Sequence, residues 1–209
     1  IVGRDTGELD GAGILRALAE TASENGVDGL FAPLFWMLVG AGIWSAGGWS
    51  LPGPLALAWG FKAASTLDSM LGYRRGRLTW LGSAGARLDD LLVWLPCRLT
   101  ALSLPLAAGH PRRGLELLRA ALRDGRPDPS PNAGVSQAAY AHLVGVQLGG
   151  VNRYGGERRD KPLLAAGRPA PDRAAVERML ALNRRLQLIW LLGSGLLLGS
   201  GAFITKALS

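Results

Sequence analysis

Carboxylates near the start of this sequence recur at a spacing suited to binding a cation or an amine. Glu20, Glu24 and Asp28 follow one another at intervals of four, so a helix would stack them down one face. Like charges at this spacing repel by about 0.2–0.5 kcal/mol per pair, which favours a compensating Mg²⁺ ion or amine. A solvated acidic face is the simpler alternative, and spacing alone favours it. Asp28 could also fall beyond the end of the helix.

A second set of carboxylates lies within or beside apolar segments. Asp68 is flanked by Thr66 and Ser69 inside an otherwise apolar stretch, where ionisable groups usually mark a cavity or a site. Asp89 and Asp90 come directly before an apolar run, and paired carboxylates at a membrane interface can hold a divalent ion that bridges phosphates. A membrane-flanking pair at a helix start explains Asp89 and Asp90 equally well.

Anion-binding candidates are weaker. Backbone N–H groups of the turn at residues 130–134 could cradle an anion, although a bare helix N-cap is the stronger explanation. His110 and His142 have no ligand-spaced partners, and Cys97 suits a small core residue. The sequence has no P-loop, nucleophile elbow or kinase motif, so any nucleotide would bind by another arrangement.

The composition indicates a membrane protein. Of 209 residues, 48% are hydrophobic and 19% are charged, against roughly a quarter charged in soluble chains. The net charge of +7 is concentrated between apolar runs, which is typical of positive-inside loops and of anionic-lipid or phosphate binding. Because nucleic-acid-binding motifs are absent, we expect no nucleic-acid partner.

Charge and periodicity predict the elements of the first half. In the acidic segment 1–29, apolar residues repeat every three or four positions, which predicts an amphipathic helix from about Gly11 to a stop at Asn25-Gly26. In the segment 30–109, the uncharged run Leu30–Phe61 predicts a membrane span that turns back near Pro52-Gly53-Pro54 into a second helix. The run Leu91–Gly109 is interrupted by prolines, and we favour a re-entrant or membrane-embedded path for it.

The second half alternates basic and apolar character. The segment 110–185 holds 14 Lys/Arg and 7 Asp/Glu, which predicts a cytoplasmic location. It should contain helices at about Gly114–Arg123 and Val135–Leu148, followed by a polar loop to Gly167. The uncharged run Leu186–Thr205 predicts a C-terminal transmembrane helix whose Gly195-x-x-x-Gly199 face packs closely. The predicted fold class is therefore all-α, a polytopic integral membrane protein with helical cytoplasmic segments.

Several short strings together resemble the CobD/CbiB family of cobalamin-biosynthesis proteins, the adenosylcobinamide-phosphate synthases. The strings, in chain order, are Val2-Gly3-Arg4-Asp5-Thr6, Glu20-Thr21-Ala22-Ser23-Glu24-Asn25, Thr66-Leu67-Asp68-Ser69-Met70, Ala86-Arg87-Leu88-Asp89-Asp90, Pro96-x-Arg98-Leu99-Thr100, Ser130-Pro131-Asn132-x-Gly134 and Leu148-Gly149-Gly150. They run over most of the chain, so we treat residues 1–209 as one domain of this type.

The resemblance implies a multi-pass enzyme of the bacterial cytoplasmic membrane. Such an enzyme joins adenosylcobyric acid to aminopropanol or its phosphate through an amide bond and consumes ATP with Mg²⁺. Its expected partners are membrane lipid, the corrinoid and amine substrates and other cobalamin-pathway enzymes. Two alternatives are a non-catalytic AmpE-like membrane sensor or regulator and an inactive scaffold for corrin enzymes. Because the family has further helices before the Gly-Arg-Asp-Thr string, we expect a fragment or truncated member.

The resemblance also implies site residues. Four acidic residues are predicted to be catalytic: Glu24, Asp68, Asp89 and Asp90. Four carboxylates are predicted metal ligands: Glu24, Asp28, Asp89 and Asp90. Polar residues of the shared strings are predicted to bind substrate or phosphate: Arg4, Asp5, Thr6, Asn25, Thr66, Ser69, Arg87, Arg98, Ser130 and Asn132.

Overall fold

The computed structural model describes residues 7, 9–71, 79–154 and 156–207, with the backbone alone at residues 71, 79, 81 and 197–207. Seven α-helices and one β-hairpin make up this part of the chain. In chain order they are α1 (Gly11–Gly26), α2 (Ala32–Ser45), α3 (Pro54–Leu71), α4 (Thr79–Ala107), α5 (Gly114–Gly125), α6 (Ala133–Val144), β1 (Leu148–Tyr154), β2 (Glu157–Leu164) and α7 (Arg173–Ala207).

The chain divides into two compact units. The first unit comprises residues 1–27 and 97–186, and the second comprises residues 28–96 and 187–209. Helix α4 therefore contributes Cys97–Ala107 to the first unit, and its earlier residues belong to the second. The two units are described in turn.

Helix α1 begins and ends where the sequence predicts, at Gly11 and Gly26. The Asp10 side chain caps its start by accepting a hydrogen bond from the Gly13 N–H at 2.7 Å. At its end the chain continues through a π-turn, Val27–Phe31, directly into α2. Gly26 also permits close packing, since a Cβ there would lie 2.8 Å from Nδ2 of Asn183. The predicted end of α1 is confirmed, although the chain stays helical beyond it instead of turning away.

Helices α2 and α3 form the predicted antiparallel pair. The chain reverses at residues 46–53, and the Trp44 indole donates to the Leu51 carbonyl at 3.0 Å across this turn. Two glycines permit the close approach, because a Cβ at Gly40 would lie 2.7 Å from the Pro54 nitrogen and one at Gly53 would overlap the Trp44 ring. The predicted start of the second helix at Pro54 is confirmed.

Helix α4 corrects the re-entrant path predicted for Leu91–Gly109. It runs without reversal for 29 residues and passes through both Pro96 and Pro105. Asp89 and Asp90 consequently lie inside this helix rather than at its start. A short 3-10 turn, Pro111–Arg113, then reverses the chain into α5. Gly114 allows that reversal, since a Cβ there would lie 2.4 Å from the Leu102 carbonyl oxygen.

Helix α6 is the centre of the first unit. Every residue from Ala133 to Ala141 is buried, as expected of a helix with neighbours on all sides. Gly125 of α5 and Gly134 of α6 let the two backbones touch, because a Cβ on either glycine would lie within 2.5 Å of the other residue. Gly145, in the left-handed region at φ +80°, ends α6 four residues before the predicted end.

A β-hairpin replaces the predicted polar loop and corrects the all-α fold class. Strands β1 and β2 are antiparallel, with Val151 opposite Asp160 and Tyr154 opposite Glu157. The hairpin escapes a periodicity search because the residues Glu157–Asp160 are all exposed and polar, so no apolar alternation marks β2. Most of the described chain is nonetheless helical, as predicted.

Helix α7 begins at Arg173, thirteen residues before the predicted span. The Asp172 carboxylate accepts from the Ala175 N–H at 2.7 Å and caps this start. The predicted Gly195-x-x-x-Gly199 packing face extends beyond the described side chains. Among the described residues, two helical stretches are long and apolar enough to cross a membrane, Gly11–Ser45 and Gly82–Ala107, by length and composition. Membrane association rests on these candidate spans, and the full multi-pass arrangement stays a prediction.

Tyr140 and Asn183 connect three helices of the first unit. The buried Tyr140 hydroxyl donates to Asn183 Oδ1, and Asn183 Nδ2 donates to the Ala22 carbonyl at 3.0 Å. Burial raises the pKa of Tyr140, so its hydroxyl stays a donor.

We expect Tyr140→Phe to lower the free energy of unfolding by about 1–2 kcal/mol, because Asn183 Oδ1 loses its donor. Tyr154→Phe on the hairpin should change it by less than about 0.5 kcal/mol. Equal thermal shifts for the two variants would contradict this role.

Candidate functional site

Glu20 is buried in the first unit, and Glu24, one turn later, is half-buried. Glu20 is 1% exposed, and its Oε1 accepts from the Gly149 N–H at 3.0 Å. One turn later, Glu24 Oε2 accepts from the Gln137 side-chain amide at 2.7 Å. The alternative of a solvated acidic face is therefore wrong for Glu20, whereas Glu24 is half-buried and hydrogen-bonded. Asp28 lies in the π-turn and belongs to the second unit.

The Gly149-Gly150 pair completes the surroundings of Glu20. Both glycines have positive φ, and a bulge here interrupts the pairing of the hairpin. Arg16, one turn before Glu20 on α1, donates to the carbonyls of Gly149 at 3.1 Å and Val151 at 2.7 Å. Two side chains of α1 therefore hold strand β1. Glu20 accepts a hydrogen bond from a backbone N–H of the strand, and Arg16 donates hydrogen bonds to two of its carbonyls.

Buried polar atoms beside these carboxylates lack partners within the described part of the chain. They are Arg16 Nε, Gln137 Oε1 and Asn152 Nδ2. Gln137 is 1% exposed and already uses its amide nitrogen on Glu24. Buried polar groups normally find a hydrogen-bond partner, so this cluster has donor and acceptor capacity for a polar ligand or water. We name Arg16, Glu20, Glu24, Gln137 and Asn152 the α1 polar cluster.

The Ser130-Pro131-Asn132 turn is fixed to α4 at the start of α6. Arg98 donates to Asn132 Oδ1 and, at 2.9 Å, to the Pro131 carbonyl. Ser130 Oγ accepts from the N–H groups of Asn132 at 3.3 Å and Ala133 at 3.2 Å. Two N–H groups that could cradle an anion are thus already used by Ser130, which favours the helix-cap explanation. Cys97 is buried beside this turn, as predicted for a core residue.

His142 is not the isolated histidine that its spacing suggests. Its Nε2 lies 2.7 Å from Asp124 Oδ2, and the same carboxylate accepts from Arg123 at 3.0 Å and the Ala165 N–H at 3.3 Å. Burial alone would raise the pKa of Asp124, but these hydrogen bonds and the imidazole hold it below its usual value. Asp124 thereby connects the end of α5, the end of α6 and the chain after β2.

The depressed pKa of Asp124 gives a pH-dependent stability. A carboxyl group whose pKa is lower in the folded than in the unfolded state stabilises the folded protein. The stabilisation is complete above the unfolded-state pKa of about 3.9 and is lost as the pH falls through the folded-state pKa. We expect the free energy of unfolding of the wild-type protein to exceed that of Asp124→Asn by roughly 1 kcal/mol at pH 5. This difference should vanish below about pH 3. Thermal melts across this range would show it. Asp160→Asn, which removes an exposed hairpin carboxylate, should show no such trend, and a parallel pH profile for both variants would refute the assignment.

The second unit contains the other carboxylates. Asp89 on α4 hydrogen-bonds Ser65 on α3 and interacts electrostatically with Asp68, Asp90 and Lys62. Helices α3 and α4 are antiparallel here, because Ser65 meets Asp89 whereas Asp68, later on α3, lies beside Gly85, earlier on α4. A Cβ added at Gly85 would lie 3.7 Å from the Asp68 backbone. Oδ1 of Asp89 is buried without a hydrogen-bond partner among the described residues. We name Lys62, Ser65, Asp68, Asp89 and Asp90 the α3–α4 carboxylate cluster.

Other predicted site residues lie outside these clusters. Thr66 and Ser69 are exposed, and their hydroxyls donate to helix carbonyls of Lys62 at 2.8 Å and Thr66 at 2.9 Å. Asn25 and Arg87 are exposed. Arg4, Asp5 and Thr6 lie outside the described residues. Within residues 7, 9–71, 79–154 and 156–207, no three His, Cys, Asp or Glu side chains are placed to hold a metal ion together.

Comparison with known proteins identifies the family of this chain. The family model described as CobD/Cbib protein matches residues 1–183. The chain belongs to the CobD/CbiB family. A Cobalamin biosynthesis protein CobD from Synechocystis sp. is 51% identical over 166 residues, covering 79% of this chain and 46% of that protein. A Cobalamin biosynthesis protein CbiB from Salmonella typhimurium is 46% identical over 163 residues, covering 78% and 47%. No solved structure gives a significant match.

The chain spans about half the length of the curated relatives it matches. The resemblance found in the CobD/CbiB strings is confirmed, and those strings occupy defined places. In the first unit, the glutamates of α1 meet the Gly149-Gly150 string, and Arg98 meets the Ser130-Pro131-Asn132 string. In the second unit, the Asp68 string meets the Asp89-Asp90 string.

Sequence reasoning missed three members of the α1 polar cluster. Arg16, Gln137 and Asn152 belong to no chemical motif, and two of them sit in elements whose bounds were predicted incorrectly. For Gln137, a signal is present in the sequence, because this polar side chain lies within the run of mostly small and apolar residues from Ala133 to Ala141, which is expected to be buried. A polar residue there requires a buried partner.

Proposed function

We propose that this CobD/CbiB protein forms an amide bond between the carboxyl group of adenosylcobyric acid and the amine of aminopropanol or its phosphate, with ATP as the energy source. The observation that carries the proposal is that family strings distant in sequence come together as two clusters of acidic and amide side chains. Cobalamin biosynthesis is the role named for both relatives. The ligase chemistry and the membrane location belong to the proposal.

The chemistry of the reaction sets what the protein must supply. A carboxylate is a poor acyl donor until it is phosphorylated, so ATP transfers phosphate to the acid and releases ADP. The amine then attacks the acyl carbon, the amide C–N bond forms, and inorganic phosphate leaves. The protein must balance phosphate charge and hold the amine in a position to attack.

The α1 polar cluster suits the amine. Glu24 is partly buried, fixed by Gln137 and without a cationic partner among the described residues, so an ammonium group would supply its missing countercharge. Gln137 Oε1 is a further acceptor in the same place. In this proposal Glu24 binds and orients the amine, Gln137 positions Glu24, and Glu20 with Arg16 holds the adjacent strand.

The α3–α4 carboxylate cluster suits Mg²⁺ bound together with phosphate. Magnesium is typically held by one or two carboxylates while phosphate and water supply the other ligands, so three protein carboxylates in one shell are not required. The unpartnered Oδ1 of Asp89 and the nearby Asp68 fit that donor set. Bound Mg²⁺ would neutralise phosphate charge, and Lys62 would contribute a second positive charge. The predicted phosphate contacts of Arg4, Arg87 and Arg98 and the metal roles of Asp28 and Asp90 remain part of this proposal.

Complementation tests the proposed function. The complete gene product carrying this sequence should restore growth on cobyric acid, under conditions that require cobalamin, to a bacterial strain lacking its own synthase. Growth on cobinamide, which lies after the proposed step, should not need the protein. An AmpE-like regulator or an inactive scaffold would give no growth on cobyric acid although the protein accumulates in the membrane, and that result would overturn the proposal.

A further inference from the structure

A second binding feature lies in the first unit, away from the α1 polar cluster. It is an open pocket of about 400 Å³ where the end of α6 meets one face of α7. Leu143, Val144 and Leu182 supply apolar walls, and Arg178 and Arg185 supply the charge. The pocket is too small for a corrinoid, and no string of the CobD/CbiB family lines it.

The two arginines form a matched pair across this pocket. Arg178, Ala181, Leu182 and Arg185 follow at i, i+3, i+4 and i+7, so they share one face of α7. Seven residues of helix separate the arginine Cα atoms by about 10 Å. Neither guanidinium has an acidic partner in the part of the chain that the structure describes, unlike Arg173 on the same helix, which pairs with Glu177 at 2.8 Å.

The position of the pocket along the chain points to a lipid. Ala108, which also lines it, directly follows the candidate span Gly82–Ala107. Arg185 directly precedes the uncharged run Leu186–Thr205. Both helices thus change from apolar to polar character at the pocket, which is the level of lipid headgroups if these segments enter a bilayer. Basic pockets at the cytoplasmic ends of membrane helices are typical sites for anionic headgroups.

We propose that this pocket binds the phosphodiester headgroup of an anionic phospholipid, with Arg178 and Arg185 on the phosphate and the glycerol backbone against Leu143, Val144 and Leu182. The inference rests on the membrane placement in the proposed function and not on its ligase chemistry. It assigns the first unit a lipid contact that would hold the α6 and α7 ends at the membrane surface.

The test measures binding of fluorescent phosphatidylglycerol to the complete protein in neutral detergent, with phosphatidylcholine as the uncharged comparison. At about 1 kcal/mol per basic residue, Arg178→Gln with Arg185→Gln should weaken phosphatidylglycerol binding about 25-fold. The matched control, Arg168→Gln with Arg184→Gln, removes the same charge from exposed positions outside the pocket and should weaken it less than about threefold. Ala181→Phe fills the pocket without changing charge and should also abolish selectivity for phosphatidylglycerol.

Three results would overturn the inference. They are equal losses in the two double variants, wild-type affinity in Ala181→Phe, and displacement of the lipid by millimolar glycerol 3-phosphate, which would indicate a soluble phosphate ligand. Complementation by the same variants separates this inference from the proposed function. Lost lipid selectivity with growth retained in the pocket variants supports the lipid site alone. Selective lipid binding by the wild-type protein without growth contradicts only the ligase role.

Discussion

Replacing Asp89 by asparagine in the complete gene product should lower the rate of amide formation about 100-fold or more. Asp89 is the centre of the α3–α4 carboxylate cluster: it contacts Ser65, lies near Asp68 and Asp90, and keeps Oδ1 unpartnered. Asparagine preserves the shape and removes the charge that would bind Mg²⁺. The rate is measured as product formed per minute over a range of Mg²⁺ concentrations, and the Mg²⁺ requirement should rise as the rate falls.

Stability separates a functional Asp89 from a structural one. Acidic side chains gathered beside apolar residues repel and are costly to bury, so Asp89→Asn should melt at the same temperature as wild type or higher. Asp160→Asn removes an exposed carboxylate at the hairpin and should leave both rate and melting unchanged. Ser65→Ala removes the hydrogen bond to Asp89 and should reduce the rate by less, about threefold to tenfold. An Asp89→Asn protein with wild-type rate and Mg²⁺ dependence would contradict the assignment.

Gly149→Ala should lower the free energy of unfolding by about 3 kcal/mol or more, which is a large effect for one added methyl group. Gly149 has φ +82°, and a Cβ there would lie 1.9 Å from the Pro162 carbonyl oxygen on the paired strand. The new methyl group must therefore push β2 away or move the strand off Arg16 and Glu20. Activity should fall together with stability, because the Gly149 N–H is the donor to Glu20.

Gly167→Ala is the matched control for this substitution. Gly167 has nearly the same backbone, φ +83°, but nothing lies within 4 Å of an added Cβ. Backbone strain alone should cost it about 1–2 kcal/mol. The difference between the two variants measures the steric clash at Gly149, and thermal unfolding in one detergent provides both values. Equal destabilisation would mean that Gly149 has no special role in holding β1 against β2.

Local signals explain which elements are predictable from this sequence. The start of α1, the turn before Pro54 and the bounds of α5 follow from caps, glycine-proline clusters and apolar spacing within a few residues of each element. The hairpin has no such signal, because β2 is polar and exposed and its partner strand contains a glycine pair that reads as a loop. The start of α7 escapes a search for an uncharged span, because Arg173, Glu177 and Arg178 alternate with apolar residues in its first turns. The uncharged run begins only at Leu186.

The candidate site shows the same limit. Residue types identified Glu20, Glu24, Asp68 and Asp89 as candidates, and family strings ordered them along the chain. Their partners could not be deduced from spacing, since Glu20 meets Gly149 across 129 residues and Glu24 meets Gln137 across 113. Long-range contacts also decide whether a carboxylate is buried. The four-residue spacing on α1 is compatible with a solvated face, and packing against α6 and β1 buries Glu20 fully and Glu24 in part.

Direct detection of the amide product tests the central claim. The purified complete protein is incubated with adenosylcobyric acid, aminopropanol or its phosphate, ATP and Mg²⁺, and the corrinoids are analysed by mass spectrometry beside a reaction with CbiB from Salmonella typhimurium. We predict a corrinoid heavier than the starting acid by the amine less one water, formed only with ATP. Folded protein that yields no such product, while the Salmonella protein does, would contradict the account.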